Sequence, residues 1–273
     1  MMRRLAGTLI RIGLVLLTVW LAVVAAFLIE RRSLIYPLTQ DFDARSVTSM
    51  MRGRLVELTA DDGTPVIAWV SPPVGNLPVI LHFDGNAGFT AGAAIRQAPF
   101  TIRGYGVAIL NYRGAGGAPG APSEAAVTAD ALMLYDALPE LVGPMNRPPV
   151  IQGTSLGAAV AVKVAARRPA SALVLKMPFD RLCAVAEHHY PFLPACAVMW
   201  DERWESLSRA PALTAPTLVV AAGQDGVIPP AHARRLYDAL PGEKEYFLMP
   251  RSGHNGGWGE VEKALDWVER HAG

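Results

Sequence analysis

The chain opens on a long apolar run and then settles into short ones. From Ile12 to Ile29 eighteen residues pass without a charge (IGLVLLTVWLAVVAAFLI), with Arg3, Arg4 and Arg11 before them and Glu30, Arg31 and Arg32 after. Beyond it, Arg54–Thr59 and Pro65–Ser71 flank Asp61-Asp62-Gly63-Thr64, a hairpin signal. Continuous apolar runs bounded by turn residues follow at Pro78–Phe83, Gly106–Tyr112, Pro149–Gln152, Ala172–Leu175 and Thr217–Ala222, with a more polar one at Lys244–Met249. Runs without alternation suit parallel strands buried on both faces. Helical stretches are predicted between them at Ala91–Arg103, Ser123–Leu141, Leu156–Arg168, Pro230–Leu240 and Gly257–His271. Alternating strand and helix predicts an α/β domain: a mostly parallel sheet of eight strands with helices on both faces, opened by an antiparallel pair.

The first run reaches the lower end of the length that a bilayer crossing needs. It is read as a transmembrane signal anchor over residues 1–32, followed by a linker (33–53) and one catalytic domain (54–273). A cleaved signal peptide ending near Val24-Ala25-Ala26 and a buried helix are the alternatives. The flanking charges place the N-terminus in the cytoplasm and the domain on the extracytoplasmic side of a single-pass membrane protein. No predicted strand precedes Arg54, so the anchor is expected to be separable from the domain. The segment Cys183–Trp204 interrupts the alternation and is apolar and aromatic, which fits either a short lid or core-packed loop and helix.

Composition narrows the function. Hydrophobic residues make up 51% and charged residues 18%, and the mean hydropathy is +0.25, which excludes a disordered chain. A net charge of +1 gives no bulk field toward nucleic acid. Two cysteines exclude a disulfide framework and a four-cysteine zinc site. Cys183 and Cys196 are read as free buried thiols, with pairing as the alternative in an oxidising compartment.

Gly153-Thr154-Ser155-Leu156-Gly157 directly follows an apolar strand and directly precedes a small-residue helix. This is the setting of a nucleophile elbow, where glycines two before and two after the serine permit a tight, strained turn. Ser155 needs a base. Of six histidines, His254 lies in a glycine-rich loop after the last strand, at the strand end where site residues of open α/β sheets gather. His82 sits inside a strand run and reads as structural; adjacent His188 and His189 have poor metal-ligand spacing, and no metal site is expected. Asp225, after strand TLVVAA, supplies the orienting acid, with Asp180 as the rival. The oxyanion donors are the N–H groups of Leu156 and of Asn86, in the loop after the strand PVILHF.

Taken together, LHFDGNAG (81–88), NYRGAGGAPGAPSE (111–124), GTSLG (153–157), PFDRLCAVAEHHYPFLP (178–194), APTLVVAAGQDGVIPP (215–230) and SGHNG (252–256) resemble the Bem46-like group of α/β-hydrolases, with its ABHD13- and ABHD17-like members. The resemblance implies an α/β-hydrolase fold behind a membrane anchor. It also implies a serine hydrolase that cleaves an ester or thioester of a small-molecule or acyl substrate, without a cofactor. Where that group usually carries histidine in the oxyanion loop, this chain has Asp84. A carboxylate aimed at a developing oxyanion is unfavourable, so Asp84 is expected to turn away and bond backbone N–H groups. It is also the feature that favours the first alternative to a full esterase, a non-catalytic or weakly active membrane-tethered binding protein; a peptidase of the same fold is the other alternative, and no propeller or large cap domain that would select peptides is evident.

Overall fold

The computed structural model describes residues 2–37 and 53–272, with side chains from residue 5 onward. The greater part of the expected linker, residues 38–52, lies outside the described residues. One helix, α1 (Met2–Ile35), precedes the domain. The chain then runs β1 (Arg54–Thr59), β2 (Pro65–Ser71), β3 (Val79–Phe83), α2 (Ala91–Ile102), β4 (Gly106–Asn111), α3 (Glu124–Val142), β5 (Val150–Thr154), α4 (Leu156–Ala165), β6 (Leu173–Lys176), α5 (Leu182–His189), α6 (Ala195–Val198), β7 (Thr217–Ala222), α7 (Pro230–Ala239), β8 (Lys244–Met249) and α8 (Trp258–Ala272). The strands, and the helices apart from α5 and α6, are those that the hydrophobic pattern predicts, to within a few residues at each end.

The eight strands form one sheet in the order β1-β2-β4-β3-β5-β6-β7-β8. β2 pairs antiparallel with β1 and with β4, and every later pair is parallel. The hairpin turn is set locally. Gly63 takes φ +78°, and Asp62 Oδ1 accepts the Thr64 N–H at 3.0 Å, the local bond that makes aspartate a turn residue. Thr90 and Ser123 cap α2 and α3 by accepting the N–H of Ala93 and Ala126. Alternate strand residues face two cores. Leu81, Ile151, Leu175 and Val219 pack with α3, α4 and α7. Ile80, Val150, Val174 and Val220 pack with α2 and α8.

The segment after β6 forms a cap. It holds α5 and α6, and a disulfide joins Cys183 to Cys196. This corrects the reading of free thiols. The turn between the two short helices brings the Cα atoms to 4.8 Å, a juxtaposition that spacing along the chain does not reveal.

The C-terminal end of α1 docks on the domain. Arg31 makes a bidentate pair with Asp201 at 3.1 and 2.7 Å, and Arg32 Nε reaches Glu202 Oε1 at 3.1 Å. The Tyr36 hydroxyl donates to Glu202 Oε2 at 2.5 Å and accepts the Trp204 indole N–H at 3.1 Å. Glu202 is fully buried and also accepts the Glu124 N–H at 3.0 Å, so its charge depends on groups from α1 and α3 together. Breaking a buried polar pair leaves an unsatisfied group and costs about 1–3 kcal/mol. Tyr36→Phe should therefore lower unfolding stability by about 1–3 kcal/mol in a urea titration. A loss below about 0.5 kcal/mol, the range of ordinary surface changes, would mean that the end of α1 is not part of the polar core.

Candidate active site

The site stands at the C-terminal edge of the parallel strands. β5 ends at Thr154 and α4 begins at Leu156, leaving Ser155 alone to turn the chain. Ser155 adopts φ 55°, ψ −120°, a strained conformation of the kind that persists only when its surroundings over-determine it. Here they do. A Cβ on Gly153 would run into the Gly157 carbonyl, and one on Gly157 into the carbonyls of Phe83 and Asp84. Two backbones touch at each position, so neither glycine tolerates a side chain.

The turn aims Ser155 Oγ at His254, whose Nε2 lies 3.0 Å away; His254 Nδ1 lies 2.8 Å from Asp225 Oδ2. Asp225 is buried, and its Oδ1 accepts the N–H groups of Val227 and Ile228 at 2.9 and 2.8 Å. Burial pushes its pKa up, but the bond to His254 and those two N–H groups outweigh it and hold the carboxyl below its ordinary value. An ionised Asp225 is an acceptor on both oxygens. It therefore fixes the proton of neutral His254 on Nδ1 and leaves Nε2 free to receive one.

Leu156 is the first residue of α4, and its N–H is among the four that a helix leaves without an internal partner. Asn86, Ser155 and Leu156 line one cavity of about 250 Å³. Its other walls include Phe179, Leu182, Val185, Tyr190, Met199 and Ile228 of the domain, and Phe27, Arg31, Leu34 and Ile35 of α1. The α1 residues were not expected in the site. Nothing short-range in the sequence links residue 27 to residue 155, and only the docking of α1 joins them.

The Asp84 carboxylate lies against the first turns of α2. Arg96 lies 3.4 Å from Oδ1, Thr90 Oγ1 lies 3.5 Å from Oδ2, and His82 Nε2 lies 3.9 Å from Oδ1. Backbone bonding was expected for Asp84; the Gly85 N–H does contribute, but the main partners are the side chains of His82 and Arg96. Burial opposes the Asp84 charge, and the facing His82 and Arg96 more than offset it, holding the carboxyl low. Burial keeps His82 neutral by lowering its pKa. The Asp84 backbone carbonyl accepts the Tyr112 hydroxyl at 2.6 Å, which pins the loop.

Asp180 is engaged elsewhere. Its Oδ1 lies 2.6 Å from His232 Nδ1, its Oδ2 accepts Arg235 Nε at 2.6 Å, and its backbone carbonyl accepts the N–H groups of Ser206 and Leu207. It ties the foot of the cap to α7. His188 lies exposed at the end of α5, and His189 Nε2 is 2.9 Å from the Val227 carbonyl. Among the described residues, no three His, Cys, Asp or Glu side chains are placed to hold a metal ion.

No family model matches the chain. An uncharacterized protein of Mycobacterium tuberculosis is 36% identical to it over 233 residues, which cover 83% of this chain and 80% of that protein. The lysophosphatidylserine lipase ABHD12 of Danio rerio is 34% identical over 197 residues; the match covers 63% of this chain and 51% of that lipase. Among solved structures, the Pyrococcus furiosus esterase Pf2001 superposes with a TM-score of 0.66 at 15% identity, over 86% of this chain and 96% of that one. At that identity the likeness is one of fold.

Asp225→Asn should lower kcat on the order of 10⁴-fold, because an amide favours the wrong imidazole tautomer; Asp180→Asn should leave kcat within about tenfold, since Asp180 touches neither Ser155 nor His254. Esterase assays of the two variants check this, and a reversed order would contradict it. Asp180 also has a pH signature. Burial pushes its carboxyl up, but His232 and Arg235 more than compensate, so its pKa is depressed in the folded state. Its stabilising contribution is complete above roughly pH 4, the ordinary value, and is lost as pH falls toward the native one. Urea titrations across this acid range should show a shallower loss of stability for Asp180→Asn than for wild type, and equal slopes would contradict the assignment.

Proposed function

The chain belongs to the ABHD-like α/β-hydrolases and is a serine hydrolase, and from that premise we propose that it is a membrane-anchored esterase or thioesterase. The reading rests above all on the contiguous geometry Ser155 Oγ–His254 Nε2–Asp225, at 3.0 and 2.8 Å, inside a cavity lined mostly by apolar side chains. Ser155 Oγ attacks the acyl carbonyl while His254 Nε2 takes its proton. The N–H groups of Leu156 and Asn86 receive the tetrahedral oxyanion. His254 then passes the proton to the leaving oxygen or sulfur, and the acyl group stays on Ser155. Water, deprotonated by the same nitrogen, releases the carboxylic acid and restores the serine. Each proton that leaves is returned, so the cycle calls for no cofactor.

Asp84 does not weaken this reading, because its charge is paired with Arg96. The lipase name of ABHD12 supports an ester with a long acyl chain. α1 supports the anchor: Leu5–Ile35 is long and apolar enough to cross a membrane, and its most apolar window is not buried by the domain. The Cys183–Cys196 disulfide supports an extracytoplasmic domain, since such bonds persist in oxidising compartments. The three arginines ahead of the span then lie on the cytoplasmic side.

Steady-state hydrolysis of p-nitrophenyl esters of increasing acyl length tests the activity. Ser155→Ala should reduce kcat by roughly 10⁴–10⁶-fold with the fold intact. Residual activity within about tenfold of wild type would overturn the role of Ser155.

A further inference from the structure

The cap touches α1 at two levels. At the upper level Arg31 and Arg32 pair with Asp201 and Glu202. At the lower level the Trp20 indole N–H donates to the Phe192 carbonyl at 2.8 Å. Ten residues separate Trp20 from Glu30, which at 1.5 Å per residue is about 15 Å along the helix. That is about half the hydrocarbon thickness of a bilayer. If charges 30–32 mark the headgroup level, the tip of the cap lies beside the part of α1 that crosses the membrane.

The cap is built for that position. Residues 190–200 (YPFLPACAVMW) carry no charge. Three large side chains in this stretch, Tyr190, Phe192 and Trp200, are more than half exposed at 52%, 56% and 61%. In water, a contiguous exposed aromatic surface would be a liability. It is continuous here with the exposed apolar face of α1, and Arg31 stacks over Trp200 at 5.4 Å, the pairing of cation and aromatic expected at a headgroup boundary. Inside this contact, Phe27 packs against Cys183, Ala195 and Met199. The cavity that holds Ser155 runs between the same two elements, from Phe27 and Leu34 to Tyr190 and Met199.

We infer that the tip of the cap is immersed in the domain-side leaflet, and that the acyl chain of the substrate enters sideways from that leaflet, between α1 and the cap, to reach Ser155. This rests on the esterase reading above and gives the route by which its substrate enters. The membrane helix is then one wall of the acyl site, and Phe27 and Leu34 select the chain.

The full-length protein in phosphatidylcholine vesicles provides the test, with two probes: vesicle-dissolved 4-methylumbelliferyl oleate and water-soluble 4-methylumbelliferyl acetate. Phe192 lines neither the triad nor the cavity. Phe192→Glu should lower kcat/KM for the oleate by at least about tenfold, because a carboxylate is costly in hydrocarbon, and leave the acetate rate within about twofold; Phe192→Leu should preserve both. Unchanged oleate hydrolysis in Phe192→Glu, or equal loss of both rates, would overturn the access route. Depth is read separately from catalysis. A nitroxide on Phe192→Cys should collide more with dissolved oxygen than with a water-soluble nickel chelate, and the reverse order would overturn the immersion. A wild-type protein inactive on both esters would defeat the esterase reading, and the nitroxide would still decide where the cap lies.

Discussion

The site is organised by the close approach of backbones at Gly153 and Gly157. With no Cβ at either position, the end of β5 and the start of α4 can press against each other, and α4 can press against the end of β3. Three consequences follow from that one contact. Ser155 is forced to a positive φ and stands clear of the sheet. The first N–H of α4 opens beside it. The loop that leaves β3 brings Asn86 into the same cavity as Ser155. An alanine at either position would separate these elements together, because the atoms it would meet are main chain and cannot rotate away.

Around this point the chain manages buried charge by pairing rather than exclusion. Asp84 lies against Arg96, Asp180 against His232 and Arg235, and Asp225 against His254 and two N–H groups. Each carboxylate is held ionised in a place that would otherwise favour its neutral form. The three do different work. Asp225 lies against the histidine, Asp180 fastens the cap to α7, and Asp84 starts the loop after β3 with its charge facing Arg96 of α2.

Much of this was legible before the structure. Parallel strands buried on both faces write themselves as uninterrupted apolar runs, so the sheet and its helices could be read from residues such as Val79–Phe83 and Thr217–Ala222. The elbow was legible because its steric demand falls on two glycines at fixed spacing, and the order of Ser155, Asp225 and His254 followed from strand ends. What escaped was long-range. Arg96 as the partner of Asp84 depends on where α2 lies over β3. The pairing of Cys183 with Cys196 depends on a turn between two short helices. The share of α1 in the cavity depends on Arg31, Arg32 and Tyr36 meeting Asp201, Glu202 and Trp204 across about 170 residues of chain. Contacts of that range leave no periodicity to read.

A hydroxyl beside a histidine, in a pocket walled partly by α1, makes one demand that can be checked at atomic resolution. A long-chain alkyl fluorophosphonate mimics the acyl tetrahedral intermediate and bonds irreversibly to an activated serine. The most direct measurement is the structure of the full-length protein after reaction with it. The account predicts a phosphorus–oxygen bond at Ser155, the phosphoryl oxygen facing the N–H groups of Leu156 and Asn86, and the alkyl chain lying between α1 and the cap. An unmodified Ser155, or a chain directed away from α1, would contradict it.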